Sequence, residues 1–170
     1  MEAKKFKVII VEDVKLELKG TEEIFRHEIP DAEVIGTAMT EQEFWSLMET
    51  GVPDLVLLDL GLGGSTTIGV DICRNIFKRY PDVHVLIFTG EILNEKLWVD
   101  VLEAGADGIM IHSKNKSGED IKEFCLTFRQ RYAHVPIVVV PTTYDHIHES
   151  ELRKWGVNVV IYANHMLRAA

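Results

Sequence analysis

Short apolar runs alternate with stretches of helical periodicity almost from end to end of the chain. The runs occupy residues 8–11, 32–36, 55–58, 83–88, 109–111, 137–140 and 157–161. Most lack strict two-residue alternation, the pattern of parallel strands covered on both faces. Between the runs the period shifts toward 3.6. Cys73, Ile76, Phe77 and Tyr80 make one apolar stripe, Leu97, Trp98, Val101 and Leu102 the next, and Ile121, Phe124, Cys125 and Phe128 a third. Strand followed by helix, repeated about seven times, predicts an α/β protein with a parallel sheet of about seven strands. The prolines fall at element edges, and Gly51, Gly105 and Gly156 follow helical patterns, where C-terminal caps are expected.

The chain has 170 residues and no evident linker, which predicts one domain over 1–170 with a shared core. No apolar run is long enough to span a bilayer, and the start lacks the apolar core of a signal peptide. A cytoplasmic protein without a membrane partner is expected. Cys73 and Cys125 lie on apolar stripes and read as buried small hydrophobes. The net charge of -9 predicts no nucleic-acid partner, because phosphate binding needs a concentrated positive field.

Candidate chemistry gathers where strands end. Glu12 and Asp13 close the first apolar run, Asp59 closes the third, and Thr89-Gly90 follow the fourth. In an open parallel sheet with neighbouring first and third strands, three carboxylates converge at one rim. Such crowding raises carboxylate pKa values unless a cation relieves it. Mg²⁺, which prefers one or two carboxylates, a carbonyl and several waters, is the natural occupant.

Over residues 5–108 this set resembles the receiver domain of bacterial response regulators, a flavodoxin-like fold. The resemblance implies that Glu12 and Asp13 hold Mg²⁺, that Asp59 is the phosphoacceptor, and that Thr89 is the hydroxyl switch residue. The carbonyl ligand then falls on Gly61, in a loop (61–69) that lacks the family's proline and is about two residues longer than its commonest form. A histidine kinase or a small phosphoryl donor is the implied partner. Counting from Ala104-Gly-Ala-Asp-Gly108, the family's lysine position holds His112 and its aromatic switch position holds Ile109. Histidine is shorter and mostly neutral near pH 7, so it does not replace a fixed ammonium.

From about residue 103 to the C-terminus the chain resembles the last three strands of a phosphoenolpyruvate mutase and isocitrate lyase barrel. The matching segments contain His112-Ser113-Lys114, Pro141-Thr142-Thr143-Tyr144 and Ala163-Asn164-His165 with Arg168. There His112, Asn164 and Arg168 are implied to be vestigial substrate contacts. The family's acidic metal ligands and gating loop belong to earlier strands that this chain does not carry. His146 and His148, beside Asp145, read as a solvated loop before a helix near Ser150.

One strand thus ends the first pattern and opens the second. The expectation is an engineered or recombined chimera, not an enzyme, whose receiver core is extended by two βα units from a TIM-type barrel. A working regulator, or a mutase or lyase acting on phosphonates or 2-oxo acids, are the alternatives. The predicted strand order is 2-1-3-4-5, with two strands added beyond the fifth in an open sheet. An exposed sheet edge could pair two copies into a homo-oligomer.

Overall fold

The computed structural model describes residues 5–90 and 94–162 of the chain. Its elements are β1 (Phe6–Val11), α1 (Lys15–Glu28), β2 (Ala32–Ala38), α2 (Glu41–Thr50), β3 (Leu55–Asp59), α3 (Thr66–Arg79), β4 (His84–Thr89), α4 (Glu95–Glu103), β5 (Gly108–Ile111), α5 (Glu119–Arg131), β6 (Ile137–Val139), α6 (Glu149–Lys154) and β7 (Val159–Val160). All pairings are parallel, in the order β2-β1-β3-β4-β5-β6-β7. This is the expected order, and the sheet is open, with β2 and β7 at its two ends.

Handedness then decides which helix covers which face. The step from β1 to β2 runs one way along the sheet, and every later step runs the other way. With right-handed crossovers, α1 lies on one face and α2 to α6 lie on the other. Packing agrees. Ile9, Val56 and Ile87 pack with Phe44 of α2, Ile76 of α3 and Val101 of α4. Ile109 and Ile137 continue that face and pack with Phe124 and Phe128 of α5 and Leu152 of α6. On the opposite face Val8, Leu57, Phe88, Met110 and Val138 pack with Leu18 and Phe25 of α1.

Two details differ from the sequence expectation. Phe77 is 60% exposed, so the buried stripe of α3 runs through Ile72, Cys73 and Ile76 without it. Its ring lies over Gly105, where a Cβ would come within 2.5 Å of it; Gly105 has φ +103 and follows the α4 cap. The last two strands are also short, three residues for β6 and two for β7. Both cysteines are buried and unpaired, and burial pushes each thiol up to about 12. Among the described residues no helix is long and apolar enough to cross a membrane.

Candidate functional site

The register of β1 on β3 sets Val11 beside Leu58, so the residues that follow them share one rim of the sheet. There Glu12, Asp13 and Asp59 each offer a carboxylate oxygen within 4.8 Å of the others. Among the described residues no other group of three acidic, histidine or cysteine side chains could hold a metal.

Glu12 is only 2% exposed. Its Oε1 accepts the Val14 N–H at 2.9 Å, while its Oε2 is buried without a hydrogen-bond partner. Burial pushes the Glu12 carboxyl up to about 7; the Val14 N–H opposes this, and the charges of Asp59, Glu17 and Asp13 add to it. Asp59 is likewise pushed up to about 6, first by burial, against the Gly61 N–H and with the charges of Asp13 and Glu17. Both carboxyls are raised first by burial and then by neighbouring acidic charges, an arrangement that a bound cation would relieve. An orphaned buried carboxylate oxygen among hard oxygen donors is what a divalent ion such as Mg²⁺ satisfies, so these residues fit one.

The loop after β3 closes over this rim. Gly63, at φ +63, donates its N–H to Asp13 Oδ2 at 2.7 Å. The Gly61 carbonyl accepts the Gly64 N–H at 2.8 Å in a short 3-10 turn over Leu62–Gly64, which leaves its second lone pair uncommitted. A Cβ on Gly61 would sit 3.2 Å from the Asp59 carboxylate, so glycine there keeps the approach to Asp59 clear.

Thr89 ends β4, 4% exposed, and pairs in register with Ile111. His112 follows β5 on the α1 side of the sheet. Its ring stacks on Phe88 with centroids 4.8 Å apart, and a Cβ on Gly90 would meet it at 3.2 Å. Burial lowers the His112 pKa, and its Nδ1 is buried without a partner. The imidazole is therefore neutral near pH 7, as its residue type predicted.

Glu17, in the first turn of α1, escaped the sequence reading. Its charge acts on Glu12, Asp59 and His112 alike. The available signal was its position one helical turn beyond Asp13, but an acidic residue in a first turn is also a common response to the helix dipole. Of the C-terminal candidates, Asn164 and Arg168 lie outside the described residues. His148 flanks α6 as its N-terminal cap residue, as expected for the loop before a helix.

Comparison with known proteins falls into two parts. The model of the response regulator receiver domain matches residues 8–123, and that of phosphoenolpyruvate phosphomutase matches residues 100–170. The phosphoenolpyruvate phosphomutase of Tetrahymena pyriformis is 46% identical over 66 residues, covering 39% of this chain and 21% of that protein. The DNA-binding transcriptional activator DevR/DosR of Mycobacterium tuberculosis is 29% identical over 105 residues, covering 62% and 46%. Among solved structures, the isolated receiver domain of RcsB from Salmonella enterica serovar Typhimurium superposes with a TM-score of 0.57 at 17% identity, covering 84% of this chain and 97% of that one. The chain thus spans about a fifth of the phosphomutase and under half of the activator.

One expectation is overturned here. Net charge predicted no nucleic-acid partner, yet a relative matched over most of this chain is a DNA-binding activator. The charge of -9 describes this chain's own surface, whereas that relative is more than twice as long as the matched segment, so the charge argument excludes nothing for proteins of this type. With a receiver model matching more than half of its residues, the chain belongs to the response regulator receiver family.

Proposed function

We propose that the chain is a receiver-type phosphoacceptor in which Asp59 takes a phosphoryl group from a small donor. The observation that carries this is the convergence of three carboxylate oxygens within 4.8 Å at the ends of β1 and β3. An Asp59 carboxylate oxygen forms the new bond to phosphorus while the bond from phosphorus to the donor oxygen breaks, so the leaving group departs with the electron pair. Glu12, Asp13, Asp59 and the Gly61 carbonyl would hold Mg²⁺, which when bound supplies the positive charge that spreads the charge of the transferring group. The Gly61 N–H, already donated to Asp59, helps orient the nucleophile. Thr89 is the hydroxyl proposed to meet the phosphoryl oxygens.

The weak point is His112. A phosphoryl group on Asp59 adds charge beside Glu12 and Asp13, and a neutral imidazole held against Phe88 offers no compensating cation. Phosphorylation is therefore slow and incomplete. Incubation with acetyl phosphate and Mg²⁺, followed by intact-mass measurement, tests this. The expected result is partial addition of one phosphoryl group, lost in Asp59→Asn. Rapid stoichiometric labelling would remove the claim about His112, and no labelling at any donor concentration would remove the phosphoacceptor reading.

A second reading concerns origin. The two matched segments share residues 100–123, which hold β5 and the start of α5. This overlap supports a composite chain, a receiver fragment joined to two phosphomutase-like βα units through a common strand, without mutase or lyase turnover. One folding unit over 1–170 follows. Thermal unfolding followed by far-ultraviolet circular dichroism and by tryptophan fluorescence should give a single coincident transition. Two separated transitions would contradict it.

A further inference from the structure

A cavity of about 250 Å³ opens on the α1 side of the sheet, beside the acidic rim but distinct from it. Phe88, Met110 and Val140 make its apolar floor, at the ends of β4, β5 and β6. Glu17 and Gly20 of α1 stand on one side, and Lys114 and Thr142 come from the loops after β5 and β6. No matched segment contains all of these walls. Glu17 and Gly20 lie outside 100–170, and Val140 and Thr142 lie outside 8–123. The cavity is thus walled jointly by α1 and by the ends of β4, β5 and β6.

Two features give it the character of a ligand site. Gly20 sits in the interior of a 14-residue helix, where glycine is less favourable than alanine. A Cβ there would meet nothing within 4 Å, so packing does not demand the glycine and its effect is to keep the cavity wall open. Charge is the second feature. Neither Glu17 nor Lys114 makes an ion pair among the described residues, and both stand at this one cavity. They act on the intervening His112 in opposite senses.

We propose that this cavity binds a small apolar α-amino acid, with the ammonium at Glu17, the carboxylate at Lys114 and the side chain on the Phe88, Met110 and Val140 floor. The volume is below the usual range for drug-sized ligands and suits a single amino acid. A purely anionic ligand would meet Glu17 unfavourably, and a purely cationic one would leave Lys114 unused.

The test is titration of the full chain with L-leucine, 3-methylbutylamine and 4-methylpentanoate, read by amide chemical shifts and calorimetry. L-Leucine should bind at least tenfold more tightly than either analogue, with shifts confined to α1 and the β4–β6 strand ends. Glu17→Gln should erase the preference for leucine over 4-methylpentanoate, and Lys114→Gln its preference over 3-methylbutylamine. Gly20→Leu should fill the cavity and abolish binding while leaving the melting temperature unchanged or raised. The carboxylate binding as tightly as leucine, leucine affinity surviving Gly20→Leu, or no saturable binding by any of the three would overturn the proposal. None of these readouts depends on phosphorylation of Asp59.

Discussion

The strands around the acidic rim and the strands added after β5 belong to one sheet but are held by different means. β1 and β2 run for six and seven residues, and the core on them is largely aliphatic. β6 and β7 run for three and two, so the ladder contributes little there. In that half an aromatic cluster fills the core: Trp98 packs edge-on to Phe124, Phe124 stacks on Phe128, and Phe128 tilts against Tyr132. Arg129 then ties the end of α5 to the last unit. Its guanidinium donates to the carbonyls of Gly156, Tyr132 and Val135 and to Asn158 Oδ1, which in turn accepts the Ile137 N–H. Where the ladder is short, side chains carry the join. Where it is long, the strand ends are left for chemistry.

The most damaging single change should therefore fall in the aromatic cluster. Phe124 is fully buried, and Phe124→Ala should destabilise the chain by about 3–5 kcal/mol, through lost transfer energy and the cavity left behind. Denaturant unfolding measures it. A loss below about 1 kcal/mol would mean that this half is loosely packed and that the contrast drawn above is wrong.

Arg129→Met sharpens the contrast further. It keeps most of the stem but leaves several carbonyls without their donor, and should cost roughly 2–3 kcal/mol, as hydrogen bonds from a charged group do. Hydrogen exchange should show the cost locally: amides of β6 and β7 lose protection while those of β1 and β3 keep it. Uniform loss across the sheet would show that the C-terminal unit is not separately clamped.

This division explains what the chain's pattern revealed beforehand. The strand order was legible because apolar runs and helical stripes alternate cleanly and crossover handedness leaves few arrangements. Glu12, Asp13 and Asp59 were legible because each directly follows an apolar run. The short β7 was not, since residues 157–161 are as apolar as a longer strand and only their pairing with β6 decides its length. Phe77 matched the helical period yet faces outward, because Gly105 offers its ring a surface seat. Arg129 gave no sign at all, as its partners are mostly backbone carbonyls, those of Tyr132 and Val135 close by and that of Gly156 distant in sequence. Glu17 was hidden by the ordinary preference for acids in a first turn.

The acidic rim should show its strain in the pH dependence of stability without added metal. Glu12 and Asp59 are raised from 4.5 and 3.8 to about 7 and about 6. A folded-state pKa above the unfolded value gives stability that is present below the unfolded value and lost as pH rises through the folded one. These groups should therefore lower stability progressively between about pH 4 and pH 7. Glu12→Gln should flatten that slope and raise stability at pH 8 by on the order of 1–2 kcal/mol, since an amide needs no proton to be neutral. A slope unchanged in Glu12→Gln would place the strain elsewhere. Mg²⁺ should stabilise the unmodified chain at pH 8 and lose that effect in Asp13→Asn; equal shifts in melting temperature for both would remove the proposed metal site.

The smallest effect on stability should come from the residue that joins the two halves. His112→Lys removes a stacking contact with Phe88, a loss of about 0.5–1.5 kcal/mol, and frees the backbone around Gly90 from the ring. Its functional consequence should be larger than its structural one. An ammonium placed after β5 would meet the phosphoryl charge that the neutral imidazole leaves unbalanced, so acetyl phosphate should label Asp59 faster and further than in the unmodified chain. Lowering the pH toward 6 should narrow the difference, because the imidazole then gains some charge while the ammonium has none to gain. Equal labelling of the two chains across that pH range would mean that the cation is supplied from elsewhere, with Lys114, which lines the neighbouring cavity, the first residue to replace.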